Sequence, residues 1–503
     1  MADIKTDRTD KTDKPDTKHQ QRMAPEATSQ SLFFSAENAR AEGQQDIMAP
    51  SHEAAINAHP GDEYEKDDRN SQNTLQESDL APDTEKQAPT QSPAQSPWGT
   101  ADPPPDGGFA AWSVVLGAWC AYFCTFGWIN SIGTFQTYYE TTLLNGYSTS
   151  TIAWIPSLEV FFMFFMGPIV GTLSDRLGAR VVIIAGSFLH VFGLMMTSIS
   201  TEYYQVLLSQ GVCSAMGLCA IFQPSMSSIP SWFNKKRGAA YGIIASGSSA
   251  GGVIFPIMVD RLITRVGFGW AMRIAAFLIL GLLVVTCLTV RSRIPPMKQQ
   301  MDKEAFMRPY KEVKMLFLVS GFVLLTFGVF IPINYMETSA IADGMSTNLA
   351  QYLVPILNAG SLFGRMGAGA FSDKVGPYNI FVVVCSLTGI LVLALWIPAT
   401  NNPGNIVFAV LFGVTSGAYF SLSAALVAKI APLREMGYWT GVLFLFASIG
   451  ALTTNPIAGA ILQRDDGSYT GMKIYSGIFL LAGTVCVLMT RIRQTGLVLK
   501  AKF

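Results

Sequence analysis

The chain has 503 residues, of which 50% are hydrophobic and only 14% are charged. Soluble globular domains carry about 25% charged residues, so this composition argues against a soluble enzyme and favours a membrane protein. The formal net charge is zero, but residues 1–105 hold 20 acidic and 10 basic side chains, whereas the remaining residues hold 15 and 25. Two physically different parts therefore meet near residue 105.

The first part of the chain, residues 1–105, is rich in Asp, Glu, Lys, Thr, Gln, Ser and Pro and lacks a sustained apolar periodicity. Such a segment cannot bury enough apolar surface to offset the entropy that is lost on ordering. We therefore predict a disordered cytoplasmic tail. No signal peptide is visible in it, so we expect the first apolar segment to act as the signal for membrane insertion.

From residue 109 onward, long apolar stretches recur along the chain. A helix that crosses about 30 Å of hydrocarbon needs ~20 residues at 1.5 Å each. Twelve stretches have this length, so the predicted fold class is an all-α polytopic membrane protein. The predicted spans are 109–133, 150–172, 180–200, 204–231, 238–261, 270–290, 313–336, 350–372, 379–399, 404–430, 437–462 and 472–490.

Lys and Arg are distributed unequally between the two sets of loops that connect these spans. When the N-terminus is placed inside, the inner loops hold 15 basic residues and the outer loops hold four. Basic residues concentrate in cytoplasmic loops, so both termini are predicted to lie in the cytosol. The sequence carries no organelle address that we recognise, and the plasma membrane is the location that we expect.

Two short segments of the sequence repeat each other. Residues 171–178 read GTLSDRLG after the second span, and residues 369–376 read GAFSDKVG after the eighth, so the matching Gly, Ser and Asp residues stand 198 positions apart. Many secondary transporters are built from two such parallel repeats. The predicted parts are a first six-helix bundle at 106–290, a cytoplasmic linker at 291–312, a second six-helix bundle at 313–493 and a cytoplasmic tail at 494–503.

The repeated loop also resembles a known family. Its pattern GxxxDRxGxR, which begins at Gly171, resembles the loop after the second helix of the major facilitator superfamily. The resemblance implies two six-helix halves, with loop side chains that brace helix ends and gate the cytoplasmic side. The gating residues that it implies are Asp175, Arg176 and Arg180 in the first half and Asp373 in the second.

Three further segments resemble the monocarboxylate transporter family. Residues 106–112 (DGGFAAW) are similar to its first-helix motif, and residues 232–242 (WFNKKRGAAYG) are similar to its fifth-helix motif. Residues 358–365 (NAGSLFGR) resemble the eighth helix of its fungal branch. The resemblance covers about residues 106–493. It implies alternating-access transport of a monocarboxylate, often with a proton, and the fungal branch also includes carriers of other organic compounds and pumps associated with natural-product pathways.

Arg365 is the main candidate for substrate binding, and it lies about seven residues from the cytoplasmic end of the eighth predicted span. A guanidinium in hydrocarbon costs at least ~2.5 kcal/mol, so it is expected to face a cavity or the bundle interior. It can bind a carboxylate through two parallel hydrogen bonds. The family resemblance implies this role, because the family's substrate-binding arginine stands eight residues before the loop Asp. A structural arginine bonded to helix carbonyls is the alternative.

The proton-coupling residues of the resembling family are not all present in this chain. Animal members place an Asp four residues before that arginine, where this chain has Ser361, and a Lys in the first span, where this chain has none. Glu159, near the middle of the second span, is the candidate that could carry a proton instead. Desolvation favours the neutral form of a lone carboxyl in a membrane, which suits a proton carrier. A protonated Glu159 that only bonds across helices is the alternative.

Several polar side chains in the central spans complete the candidate substrate site. The predicted cavity-lining residues are Asn130, Asn334, Asn358 and Tyr419. Each could equally bridge two helices, an interaction that contributes about 0.6 kcal/mol on average within membranes. The sequence leaves both roles open for each residue.

We predict a secondary carrier of a small organic molecule, with a monocarboxylate or related organic anion as the cargo. Two alternatives stay open: an efflux transporter for a secondary metabolite, and a non-transporting nutrient sensor. The sequence shows no phosphate-binding loop, Cys/His cluster or nucleophilic constellation, so we expect no enzymatic activity, no metal and no cofactor. The expected partners are the substrate, membrane lipids and protons, with no nucleic acid, and the expected state is a monomer or weak oligomer.

Overall fold

Twelve long helices form the membrane part of the chain. The computed structural model describes residues 103–297, 302–496 and 498, and all regular structure in these ranges is helical. We number the long helices α1 to α12 in chain order. Their bounds are α1 (Phe109–Leu143), α2 (Thr149–Phe165 followed by Gly167–Leu177), α3 (Ala179–Thr197), α4 (Tyr203–Ser231), α5 (Arg237–Val266), α6 (Phe268–Thr289), α7 (Val313–Ala342), α8 (Leu353–Val375), α9 (Pro377–Trp396), α10 (Asn402–Val427), α11 (Leu433–Arg464) and α12 (Thr470–Thr495).

Most of these helices are long and apolar enough to cross a membrane by themselves. Ten of them pass this test within the described ranges, and α2 becomes the eleventh when its two parts, bent by 41°, are taken as one span. The twelfth is α8, whose 23 residues have the required length but include Arg365 and several glycines, which make it less apolar. The predicted spans overlap all twelve helices, and the predicted all-α fold class is confirmed.

The main differences from the predicted spans lie at the C-terminal ends of two helices, α1 and α7. The structure continues α1 to Leu143 and α7 to Ala342, whereas the apolar stretches end at 133 and 336. The added turns carry polar side chains such as Gln136 and Glu140. Hydropathy marks only the part of a helix that lies in hydrocarbon, because a solvated turn has no need of apolar side chains.

Small residues let the helices pack closely inside each half. A Cβ atom built on Gly186 of α3 would lie 2.6 Å from the Cβ of Ala220 in α4, and one built on Gly483 of α12 would lie 2.7 Å from the Gly321 carbonyl oxygen in α7. Large apolar side chains such as Phe188 instead point outward, where 68% of that residue is exposed. This is the pattern of a bundle in lipid, where close backbone packing drives helix association.

The helices form two halves, α1–α6 and α7–α12, which meet along two pairs of helices. Across the boundary, α2 packs along α11 and α5 packs along α8. A short helix, Lys303–Lys311, lies between the halves in the sequence. We call the end of the bundle where the odd-numbered helices begin the inner end, which the distribution of basic residues predicts to face the cytosol.

Two predicted segments fall largely outside the described residues. The predicted disordered tail lies outside them except for residues 103–105, and so does most of the predicted C-terminal tail. The last helix ends at Thr495.

Candidate functional site

Arg365 lies in the interior, where α8 meets α5 and α10. Only 7% of the residue is exposed. Its guanidinium donates hydrogen bonds to the Ser361 hydroxyl at 2.9 Å, to the Ala245 carbonyl oxygen at 2.9 Å and to the Ser248 hydroxyl. Its Cζ atom also lies 5.5 Å from the centre of the Phe420 ring. No carboxylate pairs with Arg365 among the residues that the structure describes.

Glycines on two neighbouring helices make room for this arginine. A Cβ atom on Gly242 of α5 would lie 2.6 Å from the Arg365 carbonyl oxygen, and one on Gly417 of α10 would lie 3.0 Å from its Cγ atom. Ala245 and Ser248 belong to the first half of the molecule, whereas Arg365 belongs to the second. The arginine therefore joins the halves while it holds a positive charge at their boundary.

Four asparagines form two hydrogen-bonded pairs, and the Asn334 of one pair is exposed. Asn358 of α8 donates to Asn130 of α1 at 3.0 Å, so this pair also crosses between the halves. Asn334 of α7 donates to Asn455 of α11 at 2.8 Å, within the second half. Asn130 and Asn334 each stand 21 residues after the first residue of their own helix, α1 or α7, so they hold matching positions in the two halves.

Tyr419 of α10 packs against α7. Its hydroxyl lies 2.6 Å from that of Thr326, and its ring centre lies 5.1 Å from that of Phe322, both in α7. The next residue, Phe420, is the one that packs against the arginine. Sequence reasoning named Tyr419 and missed Phe420, because no local signal shows which of two adjacent aromatic residues faces the boundary. The role of Tyr419 as a lining residue stays a prediction.

A cluster of phenylalanines from six helices lies at the boundary between the halves, and we call it the midline aromatic cluster. Its members are Phe126 (α1), Phe164 (α2), Phe222 (α4), Phe330 (α7), Phe420 (α10) and Phe444 (α11). Ring centres meet across the boundary at 5.5 Å for Phe126 with Phe420, and at 5.2 Å for Phe164 with Phe444. The faces of aromatic rings can form the apolar wall of a site that binds an apolar ligand.

Glu159 is fully buried within the first half. Gln210, from a π-helical turn of α4 (Leu207–Ser214), donates to its Oε2 at 2.9 Å, and Tyr139 of α1 donates to the Gln210 side-chain oxygen at 2.6 Å. Among the described residues, Glu159 has no basic partner, and neither its Oε1 atom nor the indole N–H of Trp128 makes a hydrogen bond. The carboxyl thus stands in a neutral polar pocket of its own half, separate from the bonds of Arg365.

The acidic residues of the repeated loops each cap a helix of the other half, and we call Asp175 and Asp373 the gate carboxylates. Asp175 of α2 accepts hydrogen bonds from the backbone N–H groups of Gly437 at 3.1 Å and Tyr438 at 2.9 Å, at the start of α11. The first N–H groups of a helix lack partners in the helix and carry partial positive charge, so a carboxylate stabilises them.

The second gate carboxylate repeats this arrangement on the other side of the inner end. Asp373 of α8 accepts from the N–H groups of Gly238 at 2.7 Å and Ala239 at 2.9 Å, at the start of α5. Arg176 is half-buried and Arg180 is exposed, and neither makes a hydrogen bond or ion pair with the described residues. The structure thus brings both aspartates to helix starts, and the gating role of all four residues stays a prediction.

The proteins to which this chain is similar agree with one another in kind. The chain matches the Major Facilitator Superfamily over residues 114–405. It is 61% identical to the MFS transporter asaE of Aspergillus flavus over 403 residues, which cover 80% of this chain and 91% of that protein. It is 52% identical to the Fujikurins efflux protein of Gibberella fujikuroi over 393 residues, covering 78% and 84%. It is 40% identical to the Aspyridones efflux protein apdF of Emericella nidulans over 386 residues, covering 76% and 78%.

Solved structures agree in fold. The E. coli fucose:proton symporter FucP matches with a TM-score of 0.60 at 13% identity, covering 75% of this chain and 98% of that one. The proton:xylose symporter XylE matches with a TM-score of 0.61 at 12% identity, covering 77% and 96%.

The superfamily match covers more than half of the chain, and the relatives are similar over most of their length. The prediction of a transporter that is not an enzyme is confirmed, while the narrower resemblance to monocarboxylate transporters stays a prediction. By sequence, relatives and twelve-helix architecture, this chain belongs to the major facilitator superfamily of membrane transporters.

Proposed function

We propose that this chain exports an organic acid with a large apolar body, by alternating access between two halves. Two relatives, 52% and 40% identical to it, carry the names of efflux proteins for fujikurins and aspyridones. Those names describe the relatives, and for this chain they favour export of a secondary metabolite over import of a nutrient. The location that we propose is the plasma membrane, with both termini in the cytosol.

The observation that carries the proposal is the environment of Arg365. Its hydrogen-bond partners among the described residues are two hydroxyls and a carbonyl, so its charge has no counter-charge there. A buried cation is strongly stabilised by a carboxylate that it can bind through two N–H groups. An anionic cargo that competes with Ala245 and Ser248 for the guanidinium would also loosen α8 from α5, which links cargo binding to movement of the halves.

The midline aromatic cluster indicates the rest of the cargo. Phe420 packs on the Arg365 guanidinium, and the neighbouring rings extend an apolar surface across both halves. A ligand site usually combines such apolar walls with a few placed polar groups. In this proposal the carboxylate meets Arg365, the apolar body meets the phenylalanines, and the pair of Asn130 and Asn358 bonds a polar substituent.

A small monocarboxylate is the second candidate cargo. Residues 106–112 and 232–242 favour it, because they resemble two motifs of the monocarboxylate transporters. The two candidates differ in their dependence on the aromatic cluster. Phe420→Ala should weaken transport of a large apolar acid strongly and that of a short acid little, since only the former buries its body against the ring.

We propose that Glu159 carries a proton whose inward movement drives the export of cargo. Its neutral form is compatible with a fully buried pocket, whereas its ionised form needs water or a cation. Gln210 and Tyr139 would hold the carboxyl in place during each protonation cycle. The prediction is that export follows an imposed pH gradient that is acidic on the outer side.

The test is flux in vesicles that contain the purified full-length protein. Labelled organic acids with equal charge and increasing apolar size serve as probes, and metabolite comparison of cells with and without the protein identifies natural candidates. Arg365→Ala should lower flux at least roughly tenfold, the loss expected for one charge-assisted interaction. Arg365→Lys should retain part of it, because the positive charge remains.

The matched control is Arg273→Ala, in the peripheral helix α6. The guanidinium of Arg273 lies 5.2 Å from the centre of the Trp270 ring. This variant removes a membrane arginine without touching the boundary between the halves, so its flux should equal that of the unmodified protein. Unchanged flux of the acids in Arg365→Ala would refute the substrate role of Arg365.

A further inference from the structure

The segment that precedes α1 is bound to the loop that precedes α5. Oδ1 of Asp106 accepts hydrogen bonds from three consecutive backbone N–H groups, those of residues 234–236, at 2.7, 2.6 and 3.3 Å. The N–H of Asp106 donates to the Trp232 carbonyl oxygen at 3.1 Å. Asp106 has a left-handed conformation with φ 53°, as has Gly108 with φ 87°, so the chain turns sharply from this contact into α1.

The start of α5 is therefore held by two carboxylates from different halves. Asp106, which belongs to the same half as α5, accepts hydrogen bonds from the N–H groups of residues 234–236. Asp373, which belongs to the other half, accepts hydrogen bonds from those of Gly238 and Ala239. These five N–H groups lie within six consecutive residues. The position of the two N–H groups that bind Asp373 therefore depends on where Asp106 holds the loop before α5.

The segment that precedes α7 makes a matching contact with the start of α11. Arg308 pairs with Glu435 at 3.0 Å, and the Tyr438 hydroxyl donates to the Phe306 carbonyl oxygen at 2.9 Å. The rings of Phe306 and Tyr438 also stack, with their centres 5.4 Å apart. Tyr438 is one of the two residues whose backbone N–H groups bind Asp175. The helix Lys303–Lys311 leads directly into α7, which begins at Val313, so it is attached to the second half. Here too, a helix start meets a segment attached to its own half and a gate carboxylate of the other half.

We propose that these two segments are straps that position the inner gate. The first strap is residues 103–108, and the second strap is the helix Lys303–Lys311. Each strap holds a helix start of its own half at the place where the gate carboxylate of the other half reaches it. Asp106 and Arg308 are thus positioning residues, which act through Asp373 and Asp175. The inference goes beyond the proposed function, because it holds for any cargo.

The division of contacts between the halves is the physical basis of this role. The bonds of Asp106 and Arg308 stay within one half, so they persist when the halves rotate as rigid bodies. The bonds of the gate carboxylates cross between halves, so they break when the inner end opens. Without the first strap, the N–H groups of residues 234–236 lose their acceptor. Without the second strap, the start of α11 loses an ion pair and a ring contact. In both cases the gate carboxylate loses a fixed set of donors.

The test is a distance measurement between the halves in the full-length protein in lipid nanodiscs. Spin-labelled noncanonical residues replace Val181 of α3 and Val383 of α9, which are 55% and 63% exposed near the inner end. Double electron–electron resonance then reports the populations with the inner end closed and open. Asp106→Asn keeps the left-handed conformation accessible and removes the charge, and Arg308→Ala removes the ion pair.

Each strap variant should raise the ratio of open to closed molecules on the order of threefold to tenfold, since each weakens a charged contact that supports closure. Arg308→Lys should restore most of the closed population, because it restores the ion pair. Glu304→Gln, an exposed change on the same short helix, should leave the populations unchanged. Unchanged populations in both strap variants would overturn the inference, including the case in which the variants only lower the melting temperature.

Discussion

Replacement of the gate carboxylate Asp175 by Asn should shift the carrier toward the state that is open at the inner end. The carboxylate accepts two backbone N–H groups, from Gly437 at 3.1 Å and from Tyr438 at 2.9 Å, and these bonds exist only while the halves are closed there. An asparagine keeps one neutral acceptor oxygen and has no charge to stabilise the start of α11. The substitution therefore lowers the free energy of the open state relative to that of the closed state.

The magnitude follows from the geometry. A hydrogen bond to a charged group contributes ~1.5–3 kcal/mol and a neutral one about 1 kcal/mol. Exchange of two charge-assisted bonds for one neutral bond thus removes at least about 2 kcal/mol from the closed state. Every 1.4 kcal/mol corresponds to a factor of ten, so the ratio of open to closed molecules should rise at least roughly thirtyfold.

The assay is the same distance measurement between labels at positions 181 and 383, combined with the thermal stability of each variant. Asp260→Asn is the control, because Asp260 is an exposed acidic residue in the outer part of α5. Its distance distribution should match that of the unmodified protein. If Asp175→Asn folds and its distribution stays the same, the carboxylate does not hold the inner end closed, and the reasoning from helix capping fails.

Three further predictions concern other parts of the site. Glu159→Gln should abolish the response of export to a pH gradient while cargo exchange without a gradient persists, as measured in vesicles; a response that survives would exclude Glu159 as the proton carrier. Gly441→Val should reduce the closed population, because a Cβ there would meet the backbone of α2. Gly459→Val, on the same helix, is the control and should leave the population unchanged, because a Cβ there would meet nothing within 4 Å. Equal distance distributions for the two variants would contradict the close packing of α11 on α2. Asn358→Ala should remove a hydrogen bond of about 1 kcal/mol between the asparagine pair and the cargo, and so raise the KM for cargo about fivefold with a smaller change in maximal rate. An unchanged KM would show that the pair only joins helices.

The candidate site was readable from the sequence only in part. Arg365 stands out because a charge within an apolar span demands a buried setting, and the structure gives it one. Asn130 and Asn358 were named as separate polar residues, and the structure shows that they bond each other across the halves. Tyr419 was named in place of its neighbour Phe420, because the rotation of α10 about its own axis depends on packing against α7 and α8.

The partners of the gate carboxylates could not be predicted from the sequence either. The sequence singled out Asp175 and Asp373 through their repeated loop, but their partners are backbone N–H groups that every helix start possesses. Those partners stand 262 and 135 positions away in the chain. The motif at residues 106–112 was visible as well, yet its contact with the α5 loop follows only from the fold.

The sequence by itself determined the twelve spans, the two repeated halves and the predicted orientation. Hydrocarbon thickness and loop charge act on each segment locally, so they leave local signals along the chain. The tertiary structure alone decided which side chains meet at the boundary: Arg365 with α5 and Phe420, and each gate carboxylate with a helix start of the other half. These contacts arise from the packing of helices that are distant in sequence, and packing depends on shape in three dimensions rather than on any one segment.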